Sequence, residues 1–208
     1  LRNYEVHSVP FPISWTQTRF AFELFRLRPD RVFLPIQTVP FFLPRKTESI
    51  VTIHDLAFKI FPEHFPPRDL RRLNWFTDFS IRKATRLIAV SESTKRDILK
   101  FYPGTREDKI RVVYHGFDMI LPVTEEARES VLGRFNLVSG EYILYVGALQ
   151  PRKNLERLLA AFKMIAERYP LMKLVLAGES AWMSEGIIRA SAQHTFRERI
   201  VLAGRVSF

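Results

Sequence analysis

Gly147-Ala148-Leu149-Gln150-Pro151-Arg152-Lys153-Asn154 follows a short apolar run, Tyr142–Val146, and leads into an amphipathic stretch. In an open α/β sheet, ligands sit beyond the carboxyl ends of the strands. A glycine there lets the backbone approach a ligand, and the next helix offers free N–H groups and the positive end of its dipole. Arg152 and Lys153 add a planar fork and a point charge, which together suit a diphosphate. An ordinary strand-to-helix turn with two solvated cations has the same residues, so the loop alone leaves both readings open.

A second candidate is His54-Asp55 after the β-branched run Ile50-Val51-Thr52-Ile53. A histidine at a strand's carboxyl end can hydrogen-bond a ligand or be satisfied locally, and Asp55 can orient it or cap the next turn. Ser91 and Gly116 also end apolar runs. Ser91 reads first as a helix N-cap and Gly116 as a turn residue. Gly178 closes Leu174-Val175-Leu176-Ala177. His7, His64 and His194 have no partner pattern and read as surface or structural, Trp182 as core or rim. Asp55 beside His54 is too small a set for a metal site.

The elements that must carry these residues alternate between strand and helix, which predicts a parallel α/β sheet. Strands are expected at Arg31–Leu34, Ser49–Ile53, Arg86–Val90, Ile110–Tyr114, Tyr142–Val146, Leu171–Ala177 and Ile200–Ala203. The continuous runs, Ile143–Val146 among them, predict strands covered on both faces. Leu155, Leu158, Leu159, Phe162 and Ile165 mark one helix face, and Phe20, Leu24 and Leu27 another, with Arg19, Glu23 and Arg26 pointing elsewhere. A helix from Ser91 should run to about Phe101 before Pro103-Gly104. Residues 60–80 read as loop followed by helix.

Composition narrows the class. The 208 residues are 47% hydrophobic and 26% charged, enough for a buried core and too polar for a membrane-embedded chain. Leu1–Glu5 lacks a basic end followed by an apolar core, so no signal peptide is expected. The absence of cysteine excludes disulfides and thiol chemistry and fits a reducing, cytoplasmic compartment. The net charge of +10 is spread singly rather than in blocks. Nucleic acid would call for a dense basic stripe with stacking aromatics; the spread instead suits phosphorylated ligands or an anionic membrane surface. Trp15, Arg19, Phe22, Phe25, Arg26 and Arg28 are candidates for peripheral membrane contact, against a simpler core reading of Phe20, Leu24 and Leu27.

The donor-type loop and its surroundings resemble the retaining family-four glycosyltransferases of GT-B fold, nearest the O-polysaccharide mannosyltransferase branch. The resemblance rests on six segments in family order: Val51–Leu56, Ile88–Lys95, Val112–Asp118, Gly147–Asn154, Leu174–Glu179 and Val201–Ser207. It implies two Rossmann-like domains, here both incomplete: residues 1–119 on the acceptor side without a first βα unit, a linker at 120–140, and 141–208 as the start of the donor domain. The absent initiator Met and an end just after a strand also suggest a fragment. In the family, basic residues of the loop neutralise the donor diphosphate as it leaves. Lys153 matches the usual lysine; Ala148 stands where many relatives have arginine, so Arg152 is expected to supply that charge.

The resemblance further implies that His54 contacts the transferred sugar or the acceptor rather than acting as general base. Gly178 should approach the nucleotide, and Asp55, Ser91 and Gly116 should line the cleft. His115 stands where asparagine is common and is assigned no role. Paired glutamates, one of which holds the donor ribose, lie beyond Phe208 in relatives, so residues 1–208 alone are expected to be inactive. The implied reaction is metal-independent, retaining transfer of a hexosyl group, mannosyl among the options, from a nucleotide diphosphate sugar. The acceptor is a saccharide or a lipid-linked molecule. No cofactor is expected beyond the nucleotide sugar, and no nucleic acid. A non-catalytic nucleotide- or carbohydrate-binding scaffold remains a rival, as does another GT-B activity such as epimerisation or glucan synthesis.

Overall fold

The computed structural model describes residues 5–10, 14–119 and 122–206; part of the stretch read as linker, residues 120 and 121, and the last two residues lie outside these. The chain divides into two compact units. One comprises residues 1–62 and 67–117; the other comprises 63–66 and 118–208.

The first unit is built on a four-stranded sheet of β1 (Arg31–Leu34), β2 (Glu48–Ile53), β3 (Arg86–Ala89) and β4 (Ile110–Val112). The strands lie in chain order and every pairing is parallel. Four helices accompany them: α1 (Arg19–Leu27), α2 (Ala57–Ile60), α3 (Pro67–Lys83) and α4 (Glu92–Phe101). Val32, Leu34, Val51, Ile53, Leu87, Ala89 and Ile110 fill the core, with Ile81 and Ile98 packed from the helices. The sheet buries its apolar runs because parallel crossovers place helices over its faces.

The second unit has the short helix α5 (Glu125–Arg134), which falls inside the stretch read as linker, and a three-stranded parallel sheet. That sheet comprises β5 (Tyr142–Val146), β6 (Lys173–Ala177) and β7 (Ile200–Gly204), with helices α6 (Leu155–Arg168) and α7 (Glu185–Ala192). Leu155, Leu159, Phe162 and Ala166 form the buried stripe of α6 and pack on Leu174 and Leu176 together with Ile187 of α7. Burying four such side chains contributes roughly 1.5–3 kcal/mol for each large one, so the stripe fixes α6 on the sheet.

All seven expected strands form, with ends moved by at most two residues, and the α/β class is as read. Two burial expectations fail. Among the described residues β5 has cover on one face: Ile143 and Tyr145 meet the α6 core, whereas Leu144 and Val146 are 52% and 70% exposed. Within this chain β5, like β7, stands at an end of the three-strand order, and an apolar run alone does not say how many layers cover it. In α1 the inward residues are Ala21, Glu23 and Leu24, while Leu27 is 55% exposed. Glu23 can turn inward because Arg19 Nη2 at 2.8 Å and Arg26 Nε at 2.7 Å neutralise its carboxylate. Among the described residues no helix is long and apolar enough to cross a membrane.

Candidate functional site

In the second unit the three strand ends are laced together by backbone. Gly147 N–H donates to Ala177 O (2.9 Å), Gly178 N–H to Gly204 O (2.8 Å), and Leu149 N–H to Glu179 O (2.9 Å). Gly147 and Gly178 take φ of 150° and 154°, a region that side chains avoid. A Cβ on Gly178 would lie 2.0 Å from the carbonyl oxygen of Gly147. Gly178 is therefore glycine because the loop leaving β5 runs directly against it. This contact fixes the course of the Gly147–Asn154 loop.

Beyond Gly147, Leu149 and Gln150 are buried. A single 3-10 turn, Pro151–Lys153, then carries the two cations, and Asn154 enters the left-handed region (φ 55°) to start α6. Arg152 is half-buried and Lys153 exposed. The Asn154 side chain makes no capping hydrogen bond, so it leaves the first-turn amides of α6 to other acceptors. Free amides, a positive dipole end and two cations are thus grouped within one turn of chain.

Next to this loop is a cleft of about 450 Å³ lined by Leu149, Gly178, Glu179, Ile188, Gly204 and Arg205. Arg205 Nη1 reaches Glu179 Oε1 at 3.2 Å. Gly147 and Gly178 are brought together at this rim, as their positions after β5 and β6 require; Arg152 and Lys153 do not line the cleft. Sequence reading missed Gln150. It is only 5% exposed, and its Oε1 is buried without a hydrogen-bond partner among the described residues. An orphaned buried acceptor is rare enough to ask for a donor, and nothing in its residue type signals this.

In the first unit, His54 follows β2 and its Nε2 lies 2.8 Å from Pro35 O. A carbonyl only accepts, so Nε2 carries the hydrogen and the neutral ring keeps its Nδ1 lone pair for another donor. His115, which was assigned nothing, stacks on His54 with centroids 5.5 Å apart and planes 13° from parallel. The pair joins the loops after β2 and β4, a juxtaposition spanning sixty-odd residues that no local pattern reports. Asp55 Oδ1 accepts at 3.0 Å from the N–H of Ala57, the first residue of α2, whose N-cap position is Leu56. Ser91 is the N-cap of α4: its Oγ accepts from Thr94 N–H at 3.0 Å. Thr94 Oγ1 in turn donates to His54 O at 3.2 Å, which ties the α4 cap to the histidine loop. Gly116 is exposed, has no positive φ and has open space where a Cβ would stand, so its expected turn role is not seen. Among the described residues no group of three acidic, histidine or cysteine side chains could hold a metal ion.

Of the other histidines, His194 is structural: Nδ1 accepts from Phe196 N–H and Nε2 contacts Leu159 O.

Two parallel α/β sheets, each with glycines, cations or a histidine at its carboxyl rim, are the parts of a GT-B fold. The profile of Glycosyltransferase Family 4 matches residues 2–120, and that of Glycosyl transferases group 1 matches residues 135–207. The chain belongs to glycosyltransferase family 4.

Its relatives agree. It is 26% identical over 147 residues to O-antigen chain mannosyltransferase B of Escherichia coli, covering 68% of this chain and 38% of that protein. It is also 26% identical over 123 residues to α-maltose-1-phosphate synthase of Mycolicibacterium smegmatis, covering 58% and 32%. Among solved structures, Anabaena HepE in complex with UDP and glucose matches at TM-score 0.66 and 16% identity, over 95% of this chain and 54% of that one. WaaG, a glycosyltransferase involved in lipopolysaccharide biosynthesis, matches at 0.65 and 17%, over 97% and 57%. The chain thus spans little more than half of these structures and about two fifths or less of the curated relatives.

Proposed function

We propose that the protein containing this chain transfers a hexosyl group, mannosyl being the first to test, from a nucleotide diphosphate sugar to a saccharide or lipid-linked acceptor. The transfer retains the anomeric configuration, needs no metal, and serves cell-surface polysaccharide synthesis on the cytoplasmic side of the membrane, with peripheral contact to anionic lipid. The observation that carries this reading is the Gly147/Gly178 contact, which sets Arg152, Lys153 and the uncapped start of α6 on one turn. Cations and N–H dipoles placed in advance stabilise the charge that develops on a leaving diphosphate without reorganising. The nucleotide lies along the rim cleft beside Gly178. His54 contributes a hydrogen bond to the transferred sugar or the acceptor through Nδ1, with Asp55 and Ser91 holding its surroundings. The E. coli relative's name, a mannosyltransferase of O-antigen chains, supports the choice of sugar and pathway class.

The test is transfer from GDP-mannose and UDP-glucose by the natural protein containing this chain and by Arg152→Ala and Lys153→Ala. Each change should lower kcat/KM about tenfold or more, because each removes charge stabilisation made in the transition state. Unchanged rates in both would remove the loop from the mechanism, and absence of any transfer would favour a binding scaffold.

A further inference from the structure

The seventeen-residue helix α3 has a solvent face of one kind. At 100° per residue, Arg68, Arg71, Arg72, Trp75, Phe79, Arg82 and Lys83 fall within one third of its circumference. Thr77, Ser80 and Ile81 on the opposite side are buried. All five cations are exposed, and none makes an ion pair among the described residues. The helix's acids lie at the flanks, and Asp78 is already held by Lys59 Nζ at 3.0 Å and the Tyr102 hydroxyl at 2.5 Å.

Between the two cationic ends, Trp75 is 57% exposed. It rests on Phe41 at a centroid distance of 5.0 Å, and Phe79 meets Phe41 edge-on at 5.1 Å. The neighbouring Phe42 is 73% exposed. An exposed aromatic centre framed by unpaired arginines is a poor surface for water alone.

We propose that this α3 face, with Phe42, is the surface that docks on an anionic lipid bilayer, Trp75 at the headgroup level and the arginines on lipid phosphates. Aromatic rings sit well at that level, and long cationic side chains extend from it to phosphate while their stems stay apolar. Charge complementarity selects this helix over α1, whose Arg19 and Arg26 are both spent on Glu23. The inference rests on the membrane part of the proposed function and sharpens it; the sugar chemistry does not depend on it.

The experiment is co-sedimentation with phosphatidylcholine vesicles, with and without phosphatidylglycerol, at low and high salt. The proteins compared are the natural protein containing this chain and its variants Arg68→Gln/Arg71→Gln/Arg72→Gln, Trp75→Ala, and Phe22→Ser/Phe25→Ser on α1, with circular dichroism confirming that each is folded. Binding should need the anionic lipid and weaken with salt. It should fall about fivefold for each arginine removed, hence about a hundredfold in the triple variant. Trp75→Ala should weaken it, and the α1 variant should match the unaltered protein. No binding to anionic vesicles overturns the proposal, as does full binding by the triple variant, or loss confined to the α1 variant. Full displacement by inorganic phosphate would mark a free-anion site instead and also overturns it. So would retention of a duplex oligonucleotide by this face without vesicle binding. In the natural protein, transfer to a water-soluble acceptor should be unchanged by the triple change. Vesicle binding that persists while Arg152→Ala and Lys153→Ala leave transfer unaltered would sink the donor reading alone.

Discussion

Replacing Gly178 with alanine tests the rim directly. A Cβ there would stand 2.0 Å from Gly147 O and 2.6 Å from its carbonyl carbon, both backbone atoms, at a φ of 154°. The backbone strain amounts to about 1–3 kcal/mol. Relieving the clash means separating the two loops, which sacrifices the Gly147–Ala177 and Leu149–Glu179 hydrogen bonds, each about 0.5–1.5 kcal/mol. The sum is about 2–6 kcal/mol, a large share of the ~5–15 kcal/mol that a domain has.

Two companions calibrate it. On Gly147 the new Cβ meets the Tyr145 ring (Oη 2.9 Å, Cζ 3.3 Å) rather than backbone, so beside the φ strain of about 1–3 kcal/mol the loss is chiefly a shift of that side chain. Gly116→Ala meets nothing and should change stability by less than about 1 kcal/mol. Thermal unfolding followed through Trp182, in a background with Trp15 and Trp75 replaced by phenylalanine, reports on the second unit. At about 4–8 °C per kcal/mol for a unit of this size, Gly178→Ala should lower the midpoint by at least ~8 °C and Gly147→Ala by less. Equal midpoints for Gly178→Ala and Gly116→Ala would refute the loop contact and the site built on it.

Gln150→Leu removes an acceptor that has no partner, so the free protein should lose little or gain stability. If the orphaned Oε1 awaits a ligand hydroxyl, transfer should fall about fivefold or more in the same variant; equal rates would leave Gln150 without a ligand role. Ser91→Ala should cost about 1 kcal/mol in denaturant unfolding and lower kcat less than His54→Ala does, since its oxygen acts through Thr94; a kcat loss as large as that of His54→Ala with full stability would reverse that assignment. The Arg26 hydrogen bond, aided by both arginine charges, holds the Glu23 carboxyl below its ordinary 4.5. A depressed folded pKa gives stability that is present above the unfolded value and lost as pH falls through the folded one. Stability should therefore drop on acidification below about 4.5, and Glu23→Gln should flatten that part of the profile; an unchanged acid limb would show that the pair contributes nothing.

The order of elements was legible because parallel strands are short apolar runs and α6 keeps a strict helical stripe from Leu155 to Phe162. The rim residues were legible for the same reason: whatever follows such a run lies at the carboxyl edge, which located His54, Gly147 and Gly178 without contacts. Layering was not legible. Leu144 and Val146 have the composition of a doubly covered strand, yet among the described residues a helix layer meets only Ile143 and Tyr145. Partnership across distance was not legible either, so His115 against His54 and the isolation of Gln150 appear only once the chain is folded. Glu23 shows a subtler limit: helical periodicity places it inward or outward by a small rotation, and two ion pairs decide which.

The +10 net charge resolves into unlike populations. Some cations serve helix ends. Lys109 Nζ donates to Ile81 O at 2.7 Å and Arg82 O at 3.2 Å at the close of α3, and burial holds its pKa below the ordinary lysine value. Arg199 donates to Ala166, Tyr169 and Pro170 carbonyls at the close of α6. Positive charge is favoured there by the dipole and by orphan carbonyls, so these residues are structural. Others, such as Arg19, Arg26 and Arg205, are matched to carboxylates. Of the exposed cations, Arg68, Arg71, Arg72, Arg82 and Lys83 share the outer face of α3, and Lys153 stands where α6 starts. A total charge could not separate these roles, since a residue that ends a helix and one that waits for a phosphate count alike. The folded chain separates them because carbonyls and carboxylates hold the first two populations, while Lys153 and the α3 cations stand exposed.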